Sequence, residues 1–175
     1  MLTTSTAVGQ VAALLVAGCG CACDIRTRRI PNALTFGAAA AAVVAGWAID
    51  GFSGVVAALS GWIAGAAMLL VPFALGGMGA GDVKLLGAIG AWLGPSAALW
   101  AGVYTTLAGG AMALVVALAS GYLREAWRNV TLMLMSWRVT GLRPIPELTL
   151  ATGKGPRLAY AAPILAGTVV AIWLR

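Results

Sequence analysis

Apolar residues run along this chain in long blocks, with short polar stretches between them. A helix needs about 20 apolar residues to cross a bilayer, with a range of about 17–25. Measured against that length, the pattern predicts six spans: Ala7–Cys23, Ala33–Ile49, Gly54–Leu75, Val83–Leu93, Ser96–Ala119 and Leu158–Leu174. The third has Pro72 near its end, and the fourth is short. The stretch Leu123–Arg138 has another rhythm. Leu123, Trp127, Val130, Leu134 and Trp137 recur at spacings of three and four, while Arg124, Arg128, Thr131 and Arg138 fall on a second stripe. That spacing predicts an amphipathic helix in the plane of the interface, although its Met and Leu residues could instead pack on the other helices. Pro144, Pro146, Gly153, Gly155 and Pro156 then predict a loop. The expected architecture is all-α: one polytopic domain over 1–175, with about six transmembrane helices, a loop at about 120–157 and the interfacial helix within it.

The basic residues orient this arrangement. Arg26, Arg28 and Arg29 follow the first span, and Lys84 follows the third. Arg124, Arg128, Arg138, Arg143, Lys154 and Arg157 lie between the fifth and sixth. With six spans all of these fall on one side, and only Arg175 falls on the other. Positive residues mark the cytoplasmic side, so both termini are expected in the periplasm. One span more or fewer would scatter the charges. No basic stretch precedes the first apolar run, so that run is expected to stay as a helix rather than act as a cleaved signal.

Composition sharpens the class. Of 175 residues, 61% are hydrophobic and 9% charged, against about 45–50% and about 25% in soluble domains. So short a chain has too little interior to bury that excess, and lipid is the solvent that accommodates it. The net charge of +6 then reads as membrane orientation rather than nucleic-acid binding. The absence of histidine removes His-based triads, HExxH zinc sites and His general bases. Cys19, Cys21 and Cys23 form an odd, crowded set that is no disulfide framework. Cys19 and Cys23 have a metal-compatible i, i+4 spacing, but only Asp24 is nearby to help, so buried inert thiols are expected. No metal and no cofactor is expected. Among the 24 glycines, Gly61, Gly65 and the pair Gly109 and Gly110 are candidate helix contacts.

Five acidic residues remain to carry chemistry. A charged side chain at the centre of a membrane helix costs about 2.5–3.5 kcal/mol on insertion scales, so an acid in a span is a functional candidate. Asp50 sits in a short turn beside Gly51, Glu125 lies among Arg124 and Arg128, and Glu147 is in the Pro-rich loop. Asp24 ends the first span and Asp82 begins the fourth, both on the cytoplasmic side of the expected topology. Two carboxylates at one membrane level can share a proton, one activating water while the other polarises a carbonyl. Gly76, Gly77, Gly79 and Gly81 surround the second acid and are expected to keep the backbone there out of a helix and open to a substrate strand. Pro31 and Asn32 are expected to turn the chain into the second helix.

These two segments also carry a family resemblance. Gly79-Ala80-Gly81-Asp82 matches the GxGD signature of intramembrane aspartyl proteases, and Val83-Lys84 extends it. Asp24, the basic run after it and Ile30-Pro31-Asn32 resemble the first aspartate motif of type IV prepilin peptidases. The resemblance implies that Asp24 and Asp82 are the catalytic pair, with Gly79, Gly81, Lys84, Pro31 and Asn32 supporting the site or the substrate. It implies a multi-pass protein of the bacterial inner membrane that cuts the leader from prepilins or pseudopilins just after a glycine, on the cytoplasmic side. Partners are then pilin helices and lipid, with no nucleic acid; the oligomeric state stays open. No paired CxxC extension is present, so the chain looks like the short form that serves Flp-type pili, and no methyltransferase activity is expected.

Plainer readings stand beside these. Asp24 could mark the interface, Asp82 could be the N-cap of its helix, and Lys84 could be a snorkelling charge. Arg26, Arg28 and Arg29 serve orientation first. A small carrier using Asp24 and Asp82 as a proton or cation site is the alternative function; no clear inverted repeat supports it. A non-catalytic assembly factor that grips pilin helices is a further one. A Ser–Lys protease would need Lys84 or Lys154, and no serine motif points at either.

Overall fold

The computed structural model describes residues 4–141, 143, 145, 149 and 158–174. Lys154, Arg157 and Arg175 of the charge argument, together with Glu147, Pro144, Pro146, Gly153, Gly155 and Pro156, lie outside the described residues. Within them there are seven α-helices and no strand: α1 Thr4–Thr27, α2 Asn32–Asp50, α3 Phe52–Ala74, α4 Ala80–Leu93, α5 Pro95–Ala119, α6 Leu123–Thr140 and α7 Ala161–Trp173. α1, α2, α3 and α5 are long and apolar enough to cross a membrane. α4, with 14 residues, and α7, with 13, are shorter.

The short connections follow from local chemistry. Gly51 alone joins α2 to α3 at φ 63, and Gly94 alone joins α4 to α5 at φ 76. Both angles lie in the left-handed region, where a Cβ meets the backbone and glycine does not. Pro95 follows as the first residue of α5, a position that needs no N–H donor. α1 ends differently: Arg28 takes φ 54, its N–H bonds to O of Asp24 at 2.9 Å, and the Thr27 hydroxyl reaches O of Cys23 at 2.9 Å.

α4 is the centre of the bundle. Val83, Leu85 through Ala91 are buried, with α1, α2, α3, α5 and α7 around them. Lipid tails are as apolar as leucine, so helix association in a bilayer depends on close packing rather than on escape from water. Gly61 of α3 shows what that requires: a Cβ placed there would lie 2.1 Å from O of Gly90 on α4. Gly65 likewise faces O of Leu86 at 2.4 Å. Many large apolar side chains point outward; Leu15, Val44, Trp47, Phe52, Ile63, Val71, Leu107 and Val115 are all exposed. An apolar exterior over a core in which Ala13, Ala17, Ala88 and Ala101 sit among Leu69, Leu85, Leu86, Ile89 and Ile164 suits a lipid-facing protein.

Several sequence expectations need correction. α1 continues a turn past Asp24, and α4 starts at Ala80 rather than Val83, so Gly81 is helical. Only Gly76, Gly77 and Gly79 stay outside regular helix; Met78, between them, is buried. Gly110 has open space beside it and makes no helix contact, whereas Gly109 does. Cys19 is exposed and Cys23 half-buried; of the three thiols only Cys21 is buried. The stretch Leu123–Arg138 is helical as α6, with Trp127, Met135 and Val139 among its exposed residues. Glu125 pairs with Arg128 on its exposed side.

Candidate active site

Asp24 lies in the last turn of α1 and Asp82 in the first turn of α4. Asp24 is buried, at 9% exposure; Asp82 is half-buried. Their carboxylates are close enough for the two charges to interact. The chain therefore brings together two acids that are separated by two complete helices.

Local geometry explains how Asp82 is presented. Gly79 is the N-cap of α4, so Asp82 is its third residue and not its cap. The Asp82 N–H bonds to O of Gly79 at 3.2 Å, and the Asp82 carboxylate folds back to accept from the Gly79 backbone N–H. This is the returning half of a capping box, without an N-cap side chain, and it places a carboxylate at the positive end of a helix. A Cβ on Gly79 would lie 3.3 Å from Oδ2 of Asp82, so a side chain there would crowd the acid.

The two sequence motifs meet at several points. A Cβ on Gly81 would lie 3.3 Å from Cβ of Ile30, which links α1 to α2. Lys84 Nζ donates to Oδ1 of Asn32 at 3.1 Å and sits 5.2 Å from the Phe36 ring centroid. The lysine thus ties α4 to α2. Pro31 is the N-cap of α2 with extended backbone, and Asn32 is the first residue of the helix. All seven residues singled out in the sequence fall at this one end of the bundle.

A contributor that the sequence did not single out comes from α7. The N–H of Ala161, a fully buried residue, donates to Oδ2 of Asp24 at 3.3 Å. Tyr160, just before it, packs its ring on Gly109 of α5 and lies within electrostatic reach of Asp82. A Tyr heading an apolar run carries no motif, so only its placement reveals it.

A cavity of about 490 Å³ lies elsewhere, near the opposite end of α4, with Gln10, Asp50, Trp92 and Ser96 among its lining residues. Neither Asp24 nor Asp82 borders it, so it is separate from the acid pair. Among the described residues no group of His, Cys, Asp or Glu side chains could hold a metal ion. The groups at the acids are the two carboxylates and the Ala161 and Gly79 backbone amides, with the Tyr160 phenol within electrostatic reach of Asp82.

Comparison with known proteins adds one finding. The model of the type IV leader peptidase family matches residues 11–118, more than half of the chain, with both acids inside the match. No curated protein and no solved structure gives a match.

Proposed function

Because the chain belongs to the type IV leader peptidase family, we propose that it is an aspartic endopeptidase with Asp24 and Asp82 as its catalytic pair. Its substrates are type IV prepilins or pseudopilins of the Flp type, cut after the short leader at the cytoplasmic face of the inner membrane. The observation that carries this reading is that Asp24, in the last turn of α1, and Asp82, in the first turn of α4, lie at one end of the bundle within electrostatic reach of each other. Two neighbouring carboxylates do not both ionise readily, so one keeps its proton near neutral pH. The ionised acid takes a proton from water, and the oxygen of that water attacks the scissile carbonyl. The protonated acid donates to the carbonyl oxygen. Collapse of the tetrahedral intermediate returns a proton to the leaving nitrogen and frees the new N-terminus.

Access supports the same reading. α4 is about 21 Å long at 1.5 Å per residue, short of the roughly 30 Å hydrocarbon layer. An acid in its first turn can therefore sit below the membrane surface, next to the non-helical segment that holds Gly76, Gly77 and Gly79. The substrate enters as a transmembrane helix whose leader end unwinds at this rim. The six-span topology, with α6 in the cytoplasmic interface and both termini periplasmic, belongs to this proposal, as does the absence of methyltransferase activity. The carrier alternative has no observation in its favour.

The test is co-expression with a Flp-type prepilin, read as a mobility shift on a gel. Asp24→Asn and Asp82→Asn are each expected to lower processing by about a thousandfold or more while the protein still inserts. Full processing by either variant would exclude the mechanism.

A further inference from the structure

Asp24 is buried at the C-terminal end of α1, where free carbonyls make the potential negative. That is a poor place for a carboxylate unless something opposes it. The start of α7 does so. Its N-cap residue, Tyr160, offers no side-chain cap to the helix, and the first N–H of α7, that of Ala161, bonds to Oδ2 of Asp24 instead. An acid from α1 thus caps α7 across the bundle, satisfying one of the orphan donors of a helix start.

This contact depends on where the start of α7 sits, and there Tyr160 packs against α5. A Cβ on Gly109 would lie 2.4 Å from the Tyr160 hydroxyl oxygen and 2.7 Å from Cε2 and Cζ. The ring fills a socket that exists only because α5 has glycine there. Tyr160 and Ala161 lie beyond residue 118, where the family match ends.

Resting on the peptidase reading, we propose that Tyr160, seated on Gly109, is a positioning residue for the acid pair. It fixes the start of α7 so that the Ala161 N–H holds Oδ2 of Asp24, leaving Oδ1 for the catalytic water. Tyr160 acts through Asp24 and takes no proton itself.

The test uses the full chain reconstituted in liposomes with a full-length Flp-type prepilin, and follows kcat and KM separately. Tyr160→Ala empties the socket and is expected to lower kcat about tenfold, in line with loss of one charge-assisted hydrogen bond, with KM unchanged. Tyr160→Phe keeps the ring on Gly109 and is expected to recover most of the lost rate. Gly109→Ala, which pushes the ring out, reproduces the Tyr160→Ala loss, whereas Gly110→Ala, with open space beside it, does not. Helix content by circular dichroism confirms that each variant is folded, and Gly109→Ala decides the matter if Tyr160→Ala fails to insert. Wild-type kcat in Tyr160→Ala overturns the proposal, as does a rate loss that Tyr160→Phe fails to recover or that appears in KM rather than kcat. Inactive Asp24→Asn and Asp82→Asn in the same assay confine such a failure to Tyr160; active ones remove the peptidase reading and this inference together.

Discussion

Gly79 shows how much one absent methyl group can matter. The capping geometry turns the Asp82 carboxylate back over the N-cap, and a Cβ there would stand 3.3 Å from Oδ2. Gly79→Ala would move the acid by a few tenths of an ångström without touching the rest of α4. Misplacement of a reacting group by about 1 Å can cost 100-fold, so a kcat loss of about tenfold at unchanged KM is expected for this smaller shift. Gly77→Ala is the matched control, since its Cβ would meet only O of Pro72 at an ordinary 3.5 Å; prepilin processing by the two variants, compared at saturating substrate, checks the difference. The second motif glycine, Gly81, matters for another reason, because its bare face is where Ile30 packs. The two glycines of GxGD therefore serve two partners, one the acid and one the neighbouring loop.

At the scale of elements, the α3–α4 contact sets the depth at which Asp82 is held. The backbones of Gly61 and Gly90 approach so closely that neither can carry a side chain without separating the helices. Gly61→Val is expected to destabilise the fold by about 1–3 kcal/mol, the usual cost of overpacking. Gly18→Ala on α1, with nothing within 4 Å of its Cβ, should be neutral. Unfolding by denaturing detergent, followed by circular dichroism, separates the two. Helix content was legible in the sequence because the length and apolarity of a span are local properties. Helix ends were less so: α1 ends at a left-handed Arg28, a conformation its residue type does not announce. Of the flagged glycines, Gly61, Gly65 and Gly109 meet neighbours and Gly110 does not, because one residue's rotation on a helix turns the contact away.

At the scale of the whole molecule, charge and apolar surface set the orientation. Arg26, Arg28, Arg29, Arg124, Arg128 and Arg138 are exposed, and in the topology proposed above the positive-inside rule puts them in the cytoplasm. In a background without native cysteines, Asp50→Cys is expected to react with a membrane-impermeant maleimide on intact spheroplasts. Arg128→Cys is expected to react only after the membrane is opened. Labelling of Arg128→Cys from outside would reverse the topology and put the acids on the wrong side for a leader held in the cytoplasm.

The order of residues alone pointed to lipid as the solvent, to an all-α fold and to the two acids worth watching. Each of these depends on local composition, and lipid leaves few places where a carboxylate can stand. What it could not determine is which faces meet. The bond from Ala161 to Asp24 joins residues 137 positions apart, and the Tyr160 ring finds Gly109 only once α5 and α7 are packed side by side. Side chains with no motif of their own acquire a role there, because a contact between helices depends on rotation and depth together and neither is written in any single segment.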